Sequence, residues 1–96
     1  MKEPSDEEIR RLRWQCRRGM LELDHLLLGF LNLGYSDLDA GRRGEFDALL
    51  RQQDQDLSDW FMGRRGPKDP RVAALVRHII AVAGEPERHR SDLGNA

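Results

Sequence analysis

Glu22 and His25 lie three residues apart, a spacing that sets a carboxylate and an imidazole side by side on a helix. Such a pair can serve as general acid and base. Cys16 adds a thiol, and Arg17 and Arg18 add two cations immediately before Gly19. The stretch "CRRGMLELDH" therefore offers three chemistries. They are proton transfer on Glu22 and His25, nucleophilic attack by Cys16, and recognition of another molecule by a corner built from Arg17, Arg18 and Glu22.

The first two fare poorly. A chain of 96 residues buries a small core and leaves little volume for a substrate pocket around Glu22 and His25. Cys16 falls on an apolar helix face, where a cysteine acts as a small hydrophobe. As the single cysteine it can form neither an intrachain disulfide nor a thiolate zinc cluster. His25, His78 and His89 sit in separate segments without metal-ligand spacing, so no metal site is expected. The "GRRG" at Gly41 and the "GRRGP" at Gly63 lack the strand–turn–helix context of a phosphate loop. An interaction surface is the reading that survives.

The elements that must position it are helical. Ser5 and Glu8 fit a capping box, which predicts a first helix from Asp6 to Arg18. Ile9, Leu12 and Cys16 form its buried stripe. Trp14 points roughly 140° away from Ile9 at ~100° per residue, among Arg10, Arg11, Arg17 and Arg18. A tryptophan on a solvent face marks a contact site. Gly19 then ends the helix in a left-handed conformation, with Arg17 and Arg18 in the last turn. A second helix, Met20 to Leu33, is apolar nearly all round and so central, with one polar strip of Glu22, His25, Gly29 and Asn32. The turn at Gly19 gathers Arg17 and Arg18 beside Glu22.

Beyond "LGYSDLD", Asp39 caps a third helix that runs to about Gln53 with Phe46, Leu49 and Leu50 inside. Gly41 and Gly44 weaken its first turns by about 1 kcal/mol each. Asp56 caps a short fourth helix whose Leu57, Trp60 and Phe61 are core. Asp69 followed by Pro70 starts a fifth, burying Val72, Leu75, Val76, Ile79, Ile80 and Val82 before Gly84 ends it. His78 is expected at the surface. The result is an all-α bundle of three main and two shorter helices, one domain over residues 1–84, followed by a disordered tail over 85–96.

Charged residues are 34% and hydrophobic residues 39% of the chain, in clustered runs that suit a folded domain. A net charge of −1 predicts no general attraction to nucleic acid or anionic membranes. The acidic start lacks an apolar stretch, and Leu26 to Leu33 is too short to span a bilayer. A cytoplasmic monomer without membrane insertion is expected. Two rivals stay open: a nucleic-acid adaptor using the Arg-rich first helix, and an enzyme built on Glu22 and His25.

The residues also carry a resemblance. "LRWQCRRGMLELD" resembles the signature of the small succinate dehydrogenase assembly factors. Their Arg-Gly-x-x-Glu hallmark is matched by Arg18, Gly19 and Glu22, preceded by an aromatic and a small residue like Trp14 and Cys16. Tyr35, then Leu49, Leu50, Asp54, Asp56, Leu57 and Trp60, a glycine–proline loop and a final apolar helix extend the likeness from Ile9 to Val82. Gly41 and Gly44 depart from the pattern, and residues after Gly84 match nothing in it.

The resemblance implies a dedicated chaperone, not an enzyme. It would bind the immature flavoprotein subunit of succinate dehydrogenase, with fumarate reductase as a second candidate client. It would promote covalent attachment of FAD, the flavoprotein forming the histidyl–flavin bond itself and the factor holding no cofactor stably. The corner would face that client. Arg18 would make charge-assisted hydrogen bonds to it, and Glu22 would accept from it or orient Arg18. Gly19 would supply the turn, and Trp14 and Arg17 would flank as an aromatic anchor and a second cation.

Overall fold

The computed structural model describes residues 4–84, so the expected tail lies outside the described residues. Within them the regular structure is five α-helices and one 3-10 turn, with no strand. The all-α bundle is the architecture.

Helix α1, Asp6–Gln15, opens with the Ser5 hydroxyl accepting the Glu8 N–H at 3.1 Å. It ends three residues short of Arg18. The Arg17 N–H turns back to the Trp14 carbonyl at 3.2 Å. The Asp24 carboxylate accepts the next two amides, Arg18 at 2.8 Å and Gly19 at 3.1 Å. A side chain from the following helix thus takes donors that would have extended α1. Arg13, not Arg17 or Arg18, is the basic residue of the last turn. Gly19, at φ +82°, sits mid-turn instead of at the helix end. A left-handed residue there is nearly free for glycine and costly for other L-residues.

Helix α2, Leu21–Leu33, packs against α1 and against the helices at Asp54–Phe61 and Pro70–Ala83. Leu23, Leu27, Phe30 and Leu31 are its buried residues. Gly29, expected on the polar strip, instead faces the last helix: a Cβ there would lie 3.1 Å from the Ala83 Cβ. Its role is close approach of two backbones. Glu22, His25 and Asn32 are exposed.

A 3-10 turn, Tyr35–Asp37, leads to α3, Ala40–Leu49, where Asp39 accepts the Arg42 N–H at 2.8 Å. The helix stops at Leu49, before the expected Gln53. Arg51 and Gln52 donate three residues back, to Ala48 and Leu49, both at 3.1 Å. Helix α4, Asp54–Phe61, has Gln53 at its cap. Asp56 is therefore not the cap but lies inside the first turn, where it binds Arg65 at 2.5 Å. Helix α5, Pro70–Ala83, begins as expected, with Asp69 accepting the Arg71 N–H at 2.9 Å.

The core is continuous beneath α2. Phe30, Tyr35 and Phe46 form an aromatic cluster, with Phe46 5.4 Å from each of the other two rings. Leu12, Cys16, Leu57, Leu75 and Ile79 are fully buried, and each large aliphatic chain among them stabilises the fold by about 1.5–3 kcal/mol. Two expectations for α5 change. Ile80 is exposed and Ala83 takes the buried place, because α5 approaches α2 over the small pair Gly29 and Ala83. His78 is half-buried, its ring edge-on to Phe30 at 5.5 Å. No helix among the described residues is long and apolar enough to cross a membrane.

Candidate functional site

The junction of α1 and α2 is a bend built from both ends. From α2, Asp24 clamps the backbone of Arg18 and Gly19 with its two oxygens. From the far side, the Arg18 guanidinium reaches the turn between α3 and α4. There Nη2 donates to the Leu50 carbonyl and Nη1 pairs with Asp54 at 3.2 Å. The Leu50 carbonyl is available because α3 ends one residue earlier. Only 16% of the Arg18 side chain is exposed.

That direction corrects one expectation. Arg18 does not point outward beside Glu22; its guanidinium is bonded inside the molecule. The physical reason is distance along the chain, since its acceptors lie 32 and 36 residues away. The other residues of the corner are outward. Trp14 is 75% exposed, in keeping with its position off the buried stripe. Arg17, Gly19 and Glu22 are exposed as well. Among the described residues, neither Arg17 nor Glu22 enters an ion pair. A Cβ placed on Gly19 would meet nothing within 4 Å, so the space above the bend is open.

Leu21 is a surface residue that the sequence pattern does not single out. It is 87% exposed, more than Trp14. An all-apolar helix start offers no periodic contrast by which one leucine could be singled out. With Met20, Glu22, Leu23, Ser58, Met62 and Arg64 it lines an open groove of about 320 Å³ between the start of α2 and the end of α4. His25 is not among the lining residues, so Glu22 and His25 do not share this groove.

Cys16 is buried beneath the bend, and burial pushes its thiol up to about 12, against a smaller opposing effect of Arg18 and Arg13. It stays protonated near neutrality, which removes the nucleophile. The arginines of α1 are largely engaged as well. Arg11 pairs with Asp47 at 3.2 Å, and Arg13 donates to Asn32 at 3.1 Å. No group of three metal-binding side chains occurs among the described residues.

What the site can do chemically is bind. It presents two large apolar side chains, one cation and one carboxylate on a braced turn, with the Cys16 thiol buried below.

Comparison with known proteins agrees on one identity. Residues 10–83 match the family model described as the flavinator of succinate dehydrogenase. The FAD assembly factor of Pseudomonas aeruginosa is 45% identical over 75 residues, covering 78% of this chain and 89% of that protein. Those of Idiomarina loihiensis and Methylococcus capsulatus are 40% and 41% identical over 75 residues, 78% of this chain and 83% and 90% of their own lengths. No solved structure matches significantly. The matched span contains the braced bend, the greater part of α1 and all of α2 to α5, and on that basis the chain belongs to the family of succinate dehydrogenase flavinators, the FAD assembly factors.

Proposed function

We propose that this protein binds the immature flavoprotein subunit of succinate dehydrogenase and promotes its covalent flavinylation. The observation that carries the reading is the coincidence of two things. The family match spans the α1–α2 bend, and that bend displays Trp14, Arg17, Gly19, Leu21 and Glu22 without internal partners for the two charges.

Exposed tryptophan and leucine beside an unpaired cation and carboxylate are the composition of a protein-binding centre. The charged pair selects register, and the apolar pair supplies desolvation. Gly19 leaves room for the client's backbone to approach. FAD is the client's group in this reading, and the flavoprotein forms the flavin bond with its own residues. The factor is a docking partner that favours the reactive arrangement, and fumarate reductase is a second candidate client. Arg11 and Arg18 are ion-paired with Asp47 and Asp54, and the net charge is −1, which together weigh against a nucleic-acid adaptor.

Co-expression tests this. The flavoprotein subunit is produced with wild-type protein, with Gly19→Arg and with Glu22→Ala, and covalent flavin is read by in-gel fluorescence. Loss of fluorescence with variants that remain folded is the expected result. Equal fluorescence across the three would refute the docking surface.

A further inference from the structure

Arg18 belongs to the motif that carries the family resemblance, yet it is the one charged member turned away from solvent. We propose that Arg18 is a positioning residue, which braces the bend against the α3–α4 turn and thereby holds Arg17, Gly19 and Glu22 in the arrangement a client grips. The proposal rests on the docking reading above and deepens it.

Three observations combine. The guanidinium spends both terminal nitrogens inside the molecule, on the Leu50 carbonyl and on Asp54. Its Nε is sealed from solvent as well. The backbone amide of the same residue is held by Asp24. Arg18 is thus tied at main chain and at side chain to two different elements, α2 and the α3–α4 turn. Neighbouring Arg17 has neither tie beyond a turn bond to Trp14.

A bend of five residues between helices, pinned at one point only, would sample several directions for its side chains. Two pins leave one. A client that recognises that single direction binds more weakly in proportion to the fraction of molecules that have left it. Arginine suits the link, because the two terminal nitrogens of its rigid planar fork reach a carbonyl and a carboxylate in fixed directions at once.

The role makes a kinetic prediction that separates it from direct contact. Loss of a contact residue speeds dissociation, whereas loss of pre-organisation lowers the competent fraction and slows association. Arg18→Gln, Asp54→Asn, the double variant and the stability control Ile79→Val are compared in two assays. The first is amide hydrogen exchange at Gly19 in the free protein. The second is association and dissociation with the apo flavoprotein subunit by biolayer interferometry. Arg18→Gln is expected to speed Gly19 exchange and to slow association about tenfold with little change in dissociation. Asp54→Asn should move both in the same direction by less, the double variant should match Arg18→Gln, and Ile79→Val should move neither.

Faster dissociation with unchanged association, additive effects in the double variant, or unchanged Gly19 exchange would overturn the brace. Should Arg18→Gln fail to fold, Asp54→Asn decides the matter alone, since that carboxylate is half exposed and its loss leaves the core intact. If wild-type protein does not bind the subunit, the docking reading falls, while the exchange comparison still tests the brace.

Discussion

The triplet Arg-Arg-Gly occurs three times, inside α3 at Arg42–Gly44 and after a helix at Arg17–Gly19 and Arg64–Gly66, and the two copies that follow a helix meet opposite fates. After α4, both arginines fold back on their own helix. Arg64 binds Asp59 at 3.1 Å and Ser58 at 2.6 Å, while Arg65 binds Asp56 at 2.5 Å and Asp59 at 3.4 Å. Their amides both turn to the Asp59 carbonyl. After α1, the nearby acid Asp24 is used by backbone amides, one arginine crosses to a distant turn, and the other is left unpaired. The difference teaches that a basic triplet becomes a display or a local clasp according to which carboxylates the preceding helix offers. Helix α4 carries two within reach; the last turns of α1 carry none.

Removing the clamp should break the comparison most severely. Asp24→Ala strips acceptors from two amide donors, one of them part-buried. Unsatisfied donors of this kind cost about 1–3 kcal/mol, so a loss of about 2 kcal/mol is expected in urea unfolding, together with reduced covalent flavin in the co-expression assay. A variant with wild-type stability would show that the carboxylate does not hold the bend.

A paired substitution sharpens it. Gly19 and Gly63 both have positive φ, at +82° and +78°, and both have open space where a Cβ would go. Gly19→Ala and Gly63→Ala should each destabilise by about 1–2 kcal/mol through backbone strain alone. Only Gly19→Ala should lower flavinylation. Equal losses of flavinylation from the two would mean that stability, not the surface of the bend, is what the assay reads.

The smallest effect belongs to the clasp. Arg64 holds the Asp59 carboxyl below its ordinary range, chiefly by a hydrogen bond. A depressed folded value contributes stability above the unfolded carboxylate value, and that stability is lost as pH falls through the folded one. The double variant Arg64→Ala, Arg65→Ala should therefore lose a little stability at neutral pH, a deficit that disappears as pH falls through the folded carboxyl value, while flavinylation stays nearly unchanged. Exposed pairs contribute little, and a marked loss at neutral pH would show that the clasp does more than shield charge.

Much of this was legible beforehand. Ser5, Asp39 and the Asp69–Pro70 pair announce three helix starts through local hydrogen-bonding chemistry that needs no tertiary contact. Trp14 reads as exposed because it falls off a clear stripe. Helix ends were less legible. Those of α1 and α3 come earlier than periodicity suggests, because Asp24 in one case and three-residue backbone turns in the other compete with the ladder. Asp56 read as a cap although its partner, Arg65, lies beyond the helix. Ile80 and Gly29 differ from their expected places for one reason: on a close helix pair only the neighbour decides which side is inside.

The chain's own order of residues determined that five helices form, that a glycine bend joins the first two, and that an aromatic, a cation and a carboxylate flank that bend, exposed. These follow from interactions within a few residues, whose geometry the helix itself sets. Tertiary structure alone decided which arginine faces out. The acceptors of Arg18 are a carbonyl freed where α3 stops and a carboxylate at the start of α4. Their position depends on how three helices pack, and no local spacing encodes it.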